Sequence, residues 1–241
     1  MTNALLAAVA IEKSFDAVRA LSGVDLELQA GERLGIIGPN GSGKTTMINC
    51  ITGVLQPDRG RIRFASNDIT ALPPHRRARL GIARTFQIPQ PFTGMTVLEN
   101  LLVPLDYLGL SLDRRHRADE VLRSVDLHGR RHDPSEALSL VELRKLELAR
   151  ALVAGPQVLI ADEAMAGLAE AEIDEILQIL FVLNRRGVGV IMIEHIMHAV
   201  MRFSQRIVCF QAGRVIAEGR PGEMAGNPLV QKVYFGEQAH R

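Results

Sequence analysis

The chain has 241 residues, enough for one large domain or one domain carrying an inserted lobe, with a substantial buried core. Its 28 Lys and Arg residues nearly balance 27 Asp and Glu, which removes any electrostatic ground for a nucleic-acid partner. Cys50 and Cys209 lie far apart in apolar surroundings and read as reduced core residues of an intracellular protein, not as a disulfide framework.

The opening MTNALLAAVAIEK is apolar but has no basic leader, so it is expected to form a strand and not an export signal. The longest apolar runs, such as LLAAVAI and VGVIMI, fall far short of the roughly 20 residues that cross a bilayer. The chain is therefore expected to be cytosolic and soluble by itself, meeting a membrane only through a partner. From about Leu5 to Leu34, apolar alternation in VAIEKSF and VDLELQ, broken by Gly23 and Gly31, predicts antiparallel strands. RLGIIG reads as a buried strand feeding a glycine loop and the helix TTMINCITGV, and GRIRF resumes the alternating pattern.

From about Pro89 to about Ala154 the pattern turns helical. Thr96 and Glu99 have the spacing of a capping box before an apolar run, and SLDRRHRADEVLRSV predicts a helix whose charges form a solvated face. After Pro156, strands and helices alternate: QVLIAD, a helix from about Glu170, GVGVIMIE, a short helix, then RIVCF and RVIAEG. Such alternation implies a parallel sheet with helices on its faces. The expected fold class is α/β: one domain over 1–241, with a parallel sheet core, an N-terminal antiparallel β portion and a helical lobe over 89–154 inserted between core strands.

The segment Gly38, Pro39, Asn40, Gly41, Ser42, Gly43, Lys44, Thr45, followed by Thr46, fits G-x-x-x-x-G-K-[ST]. Glycines are needed there because backbone N–H groups must wrap a phosphate without Cβ atoms in the way. Lys44 would reach the β- and γ-phosphates, Thr45 would offer its hydroxyl to Mg²⁺, and the following helix would add the positive end of its dipole. VLIAD ends in Asp162, whose carboxylate suits a water-mediated hold on Mg²⁺, and Glu163 can then polarise an attacking water. Gln87 in ARTFQ could contact Mg²⁺ or water and report nucleotide state to the helical lobe. His195, after GVGVIMIE, could hydrogen-bond the γ-phosphate.

In this order the motifs resemble the nucleotide-binding subunit of an ATP-binding-cassette (ABC) transporter, and the resemblance covers essentially the whole chain. It implies the P-loop fold with ABC-type architecture, ATP hydrolysis with Mg²⁺, and a stacking contact between adenine and Phe15 in EKSFDAVRAL. ARTFQIPQPFTGMTVLENLL, AMAGL and RVIAEGRPGE are similar to the ATPases of branched-chain amino-acid importers, a subgroup whose members also carry amides, urea or aromatic acids. Partners implied are a second ATPase subunit, transmembrane permease subunits that hold the chain on the inner face of the cell membrane, and, indirectly, an extracytoplasmic substrate-binding protein.

In such dimers each site joins one chain's phosphate loop to the other chain's Leu-Ser-Gly-Gly-Gln signature. Here that stretch is Leu138-Ser139-Leu140-Val141-Glu142. Val141 puts a β-branched side chain where backbone should approach phosphate, and Glu142 puts a carboxylate beside the helix N-terminus, in competition with the γ-phosphate. Ser139 and Glu142 also make a good capping box, so the helix itself is expected to be intact. Ala169 replaces the polar residue that ends the loop after Glu163, and Ala164 replaces the family's proline. Residues offered to the chain's own ATP are kept while those offered across the interface are eroded, which favours an asymmetric heterodimer over a homodimer. The alternative is a nucleotide-gated dimerisation scaffold with little hydrolysis of its own.

Overall fold

The computed structural model describes residues 4–85, 88–109 and 113–235. Strands β1 (Leu6–Phe15) and β2 (Val18–Leu28) form an antiparallel hairpin, and β3 (Arg33–Ile37) leads through the glycine loop into α1 (Lys44–Thr52). β4 (Arg59–Phe64) and β5 (Asn67–Asp68) follow, then α2 (Pro74–Leu80) and β6 (Ile82–Arg84). Helices α3 (Val97–Tyr107), α4 (Arg114–Ser124) and α5 (Leu140–Leu152) intervene before β7 (Val158–Asp162). The chain continues through α6 (Glu170–Arg185), β8 (Gly189–Ile193), α7 (Met197–Phe203), β9 (Arg206–Gln211), β10 (Arg214–Gly219), α8 (Pro221–Ala225) and α9 (Pro228–Phe235).

Among the described residues the strands make two sheets. One runs β2-β1-β4-β5 and is antiparallel; the other runs β10-β9-β3-β8-β7-β6. In the second sheet β9, β3, β8, β7 and β6 are parallel, whereas β10 pairs antiparallel with β9. The alternating strand-and-helix reading missed that edge. Only Ala212 and Gly213 separate β9 from β10, too few for the crossover a parallel neighbour needs, so the chain must turn back as a hairpin.

Side-chain alternation along each central strand sorts the core into two halves. Val158, Ile160, Ile191, Ile193, Val208 and Phe210 join α1 and the antiparallel sheet on one face. Leu159, Ala161, Val190, Met192, Ile207 and Cys209 join α6, α7 and the α3–α5 region on the other. Helix α6 shows why it docks: Ile173, Ile176, Leu177, Leu180 and Leu183 form one apolar stripe, each worth roughly 1.5–3 kcal/mol of burial. Both capping boxes expected from the sequence form, Thr96–Glu99 at α3 and Ser139–Glu142 at α5. Cys50 and Cys209 are buried, and loss of solvation pushes both thiols up to about 11.

Helix α2 had no sequence expectation, yet it carries a buried cation bonded to four carbonyl oxygens. Arg77, 1% exposed, donates to Cys50 O at 2.6 Å and Ile51 O at 2.8 Å, closing the C-terminal end of α1. It also donates to Leu72 O and Thr70 O, both at 2.8 Å. A guanidinium supplies its fork of donors to the carbonyls of the last helical turn, where Cys50 O also accepts from Gly53 N at 3.2 Å. Arg77→Met keeps the length and removes the donors. It should cost about 3 kcal/mol, seen as a lower denaturant midpoint with an unchanged slope.

Candidate nucleotide site

β3 is the central strand, and its carboxyl end opens directly into the glycine loop. Two glycines there have no substitute. A Cβ on Gly38 (φ +146) would lie 2.3 Å from Phe210 O, and one on Gly43 (φ +106) would lie 2.7 Å from Ala20 O. The loop folds around the Lys44 ammonium, whose Nζ donates to Gly38 O at 2.7 Å and Pro39 O at 3.0 Å. Burial lowers the Lys44 pKa, while the carboxylates of Glu163 and Asp162 oppose that shift.

No side chain caps α1, so its first N–H groups face the loop. The Ser42 hydroxyl is buried and has no hydrogen-bond partner among the described residues. Both features suit an incoming phosphate, which would accept from the free N–H groups and from Ser42. The pocket in front of them measures ≈140 Å³ and is lined by Ala20, Asn40, Gly41, Ser42, Gly43, Lys44, Thr45, Thr46, Glu163 and His195.

Glu163 and His195 come from neighbouring strand ends. The Glu163 N–H donates to Ile193 O at 2.9 Å, one step beyond the last β7–β8 pair, Asp162 with Ile193. Glu163 takes φ +49 there, a left-handed conformation that costs a residue with a Cβ about 1–2 kcal/mol. Its Oε1 stands 3.3 Å from His195 Nε2. Asp162 is buried, and its Oδ2 accepts from Arg84 Nη2 at 2.7 Å; Arg84 Nη1 also donates to Asn49 Oδ1 at 2.6 Å. Arg84 lies within the quoted ARTFQ, but only the fold shows that it reaches Asp162.

Mg²⁺ fits this donor set in one way. Among the described residues no group of three or more His, Cys, Asp or Glu side chains converges on a point. A hard cation would therefore take most of its oxygens from phosphate and water, with Thr45 and Asp162 contributing from the protein.

Other expected residues lie apart from this pocket. Phe15 is 44% exposed at the end of β1, with the Lys13 ammonium 5.8 Å from its ring centre, and it does not line the phosphate pocket. Gln87 lies outside the described residues. Ser139, Val141 and Glu142 sit at the start of α5, away from this chain's own phosphate loop. Glu142 accepts from Ser139 N at 2.8 Å and from Arg130 Nη1 at 2.9 Å, so both carboxylate oxygens are engaged within the chain. Val141 is half-buried against the larger core cluster, so it projects less from the helix start than its sequence position suggests. Leu140 is the more exposed neighbour, at 42%. Ala169 N donates to Glu172 at 2.8 Å, but Ala169 has no side-chain oxygen with which to cap α6 in return.

A glycine loop between a central parallel strand and a helix, with an acid pair ending a nearby strand, defines a P-loop nucleotide-binding protein. Comparison with known proteins narrows the class. The family model described as "ABC transporter" matches residues 21–166, and that described as "Branched-chain amino acid ATP-binding cassette transporter" matches 214–240. The chain belongs to the ABC transporter family; it is an ATP-binding subunit and an ATPase.

The chain is 37% identical to the probable branched-chain amino acid transport ATP-binding protein LivG of Archaeoglobus fulgidus, with 95% of this chain and 94% of that protein aligned. It is 36% identical to the lipopolysaccharide export system ATP-binding protein LptB of Acidithiobacillus ferridurans, over 97% of this chain and 98% of that protein. Among solved structures, the ADP conformation of an ATP-binding cassette of an ABC transporter matches with a TM-score of 0.89 at 34% identity, covering 97% of this chain and 99% of that one.

Gly43→Ala tests the cradle. The added methyl meets Ala20 O and forbids the loop's backbone, so affinity for a fluorescent ATP analogue should fall at least about tenfold while far-UV circular dichroism stays unchanged.

Proposed function

We propose that this chain is one of two ATP-binding subunits driving a membrane importer for branched-chain amino acids or a related small polar solute, and that it hydrolyses ATP at its own phosphate loop. One observation carries the reading: Lys44, Thr45, Glu163 and His195 border a single pocket, with Glu163 and His195 3.3 Å apart. The match of residues 214–240 to the branched-chain amino acid cassette model favours an amino-acid cargo over the lipopolysaccharide served by one relative.

On this reading Lys44 and the N–H groups of α1 hold the β- and γ-phosphates, and Phe15 stacks on adenine. Thr45, Asp162 through water, and Gln87 would hold Mg²⁺, which would supply charge neutralisation on the phosphates. Glu163 takes the proton of the attacking water, and His195 orients that carboxylate while reaching towards the γ-phosphate. The strained backbone of Glu163 keeps the acid at the pocket rim.

The dimer is asymmetric. Ser139 Oγ accepts from Glu142 N at 3.4 Å, and the Glu142 carboxylate already occupies the helix start where a partner's γ-phosphate would lie. A phosphate brought there meets a like charge before it meets free N–H groups. This chain's site is then completed by the intact signature of a second ATPase subunit, while that subunit's own site binds ATP and turns over slowly.

Residues 89–154 act as the lobe that carries movement to the permease. Support comes from a groove of ≈520 Å³ lined by Phe92, Val103, Pro104, Tyr107 and Arg150, beside the segment that follows Gln87. No helix among the described residues is long and apolar enough to cross a membrane. On this reading the chain works from the cytoplasmic face, held by permease subunits. A substrate-binding protein outside the membrane acts only indirectly.

Glu163→Gln should retain ATP affinity and lose at least about 100-fold in turnover; normal turnover refutes the assigned base. In the assembled complex, Lys44→Ala should abolish hydrolysis, whereas substituting the partner's equivalent lysine should leave most of it. The reverse result overturns the asymmetry. Light scattering of Glu163→Gln alone should show a monomer with ATP and Mg²⁺, and an ATP-dependent homodimer would also count against it. A scaffold without chemistry, the competing reading, predicts no product in a single-turnover assay of the complex.

A further inference from the structure

Two charged side chains lie behind the catalytic turn, and neither belongs to the machinery described so far. Glu194 is 2% exposed and Arg144 is 5% exposed. Glu194 comes from the end of β8, immediately before His195, and Arg144 comes from the second turn of α5. Glu194 Oε1 accepts from Met165 N at 2.9 Å, and Arg144 Nη2 donates to Ala166 O at 3.0 Å. Consecutive residues of the turn after Glu163 are thus gripped from two sides, one by an acid and the next by a base.

That turn needs support. Glu163 enters it at φ +49, and Ala164 follows, with none of the φ restriction that a proline would bring. The turn's own backbone bonds, Ala166 N to Glu163 O and Leu168 N to Met165 O, are both 3.2 Å long. Ala164 and Met165 are buried, so they pack but supply no polar anchor. The side-chain anchors come from Glu194 and Arg144.

We propose that Glu194, together with Arg144, is a positioning residue for ATP hydrolysis: it holds Met165 so that Glu163 stays against His195, and it ties the signature helix α5 to the catalytic turn of the same chain. The inference rests on Glu163 being the base assigned above. Neither side chain lines the phosphate pocket, so both act through the turn.

A purely structural role would be met by a neutral acceptor. Burial pushes Glu194 up to about 7, and the nearby Glu163 carboxylate adds to the rise; the Met165 and His195 N–H groups and Arg144 pull it down. Its folded pKa therefore exceeds its ordinary 4.5. The stabilising contribution is complete below 4.5 and is lost as pH rises through about 7. Above neutrality the carboxylate is charged at some cost to the fold, whereas glutamine of the same shape keeps the Met165 bond without that cost. What glutamine lacks is the charge that draws Arg144 onto the turn.

The test compares Glu194→Gln, Arg144→Lys and the double variant in the assembled ATPase, with Glu163→Gln alongside. At pH 8, Glu194→Gln should lose about tenfold in kcat with KM for ATP within about twofold of wild type. The ratio of wild-type to Glu194→Gln kcat should shrink towards one at pH 6, where wild-type Glu194 is itself protonated. Arg144→Lys should show a similar kcat loss, and the double variant should be no worse than the poorer single one, because both act through one turn.

A Glu194→Gln kcat within twofold of wild type at pH 8, a ratio that ignores pH, or additive losses would each overturn the proposal. If Glu194→Gln does not fold, an unimpaired Arg144→Lys does so alone. An inactive Glu163→Gln beside an unimpaired Glu194→Gln rejects only the positioning role. A fully active Glu163→Gln rejects the assignment of the base itself.

Discussion

One backbone hydrogen bond organises the site, from Glu163 N to Ile193 O at 2.9 Å. It carries the parallel β7–β8 ladder one step past Asp162, and Glu163 takes a left-handed turn there, at the carboxyl end of β7. A flexible loop could not hold an acid there, because the backbone strain would relax into an extended conformation. The ladder holds it, and His195 follows two residues beyond the end of the adjacent strand β8. The central strand β3, paired with β8 and β9, brings the glycine loop to the same carboxyl end of the sheet. Parallel pairing thus places three separate sequence segments round one pocket, at the carboxyl ends where ligands of open α/β sheets bind.

Much of this was legible in the chain itself, for identifiable reasons. The glycine loop declares itself because backbone wrapped closely round an anion tolerates so few side chains, and Gly38 and Gly43 do meet Phe210 O and Ala20 O where a Cβ would stand. Central strands are legible because burial on both faces leaves an unbroken apolar run, as in VLIAD and VGVIMI. The capping boxes at Thr96 and Ser139 are local chemistry and form as read. Arg77, Arg84 and Glu194 were not legible in role. Each is a polar side chain in an ordinary local context, and its partner lies many residues away, brought near only by the fold. The direction of β10 was hidden for a related reason, since alternation records which face is buried and not which way the strand runs.

The start of α5 shows a helix terminus closed by its own side chains. As helix chemistry, Ser139 and Glu142 are a sound cap, and Arg130, shared with Asp133, donates to the second Glu142 carboxylate oxygen. The cap closes two of the helix's first N–H groups, those of Ser139 and Glu142, within the chain. Buried Arg144 and Lys145 follow directly behind on the same helix, so even an altered signature remains bolted to the core.

The two cysteines carry a practical consequence. Cys50 and Cys209 are sealed in the core, and with thiols pushed up to about 11, roughly one in ten thousand is ionised at neutral pH. Since the thiolate is the nucleophile, maleimides and mild oxidants should pass over both while the protein stays folded. The natural chain is therefore a silent background for spectroscopy. A reporter cysteine placed on the exposed face of α4 could be labelled without first removing the native pair, leaving the packing round the phosphate loop untouched.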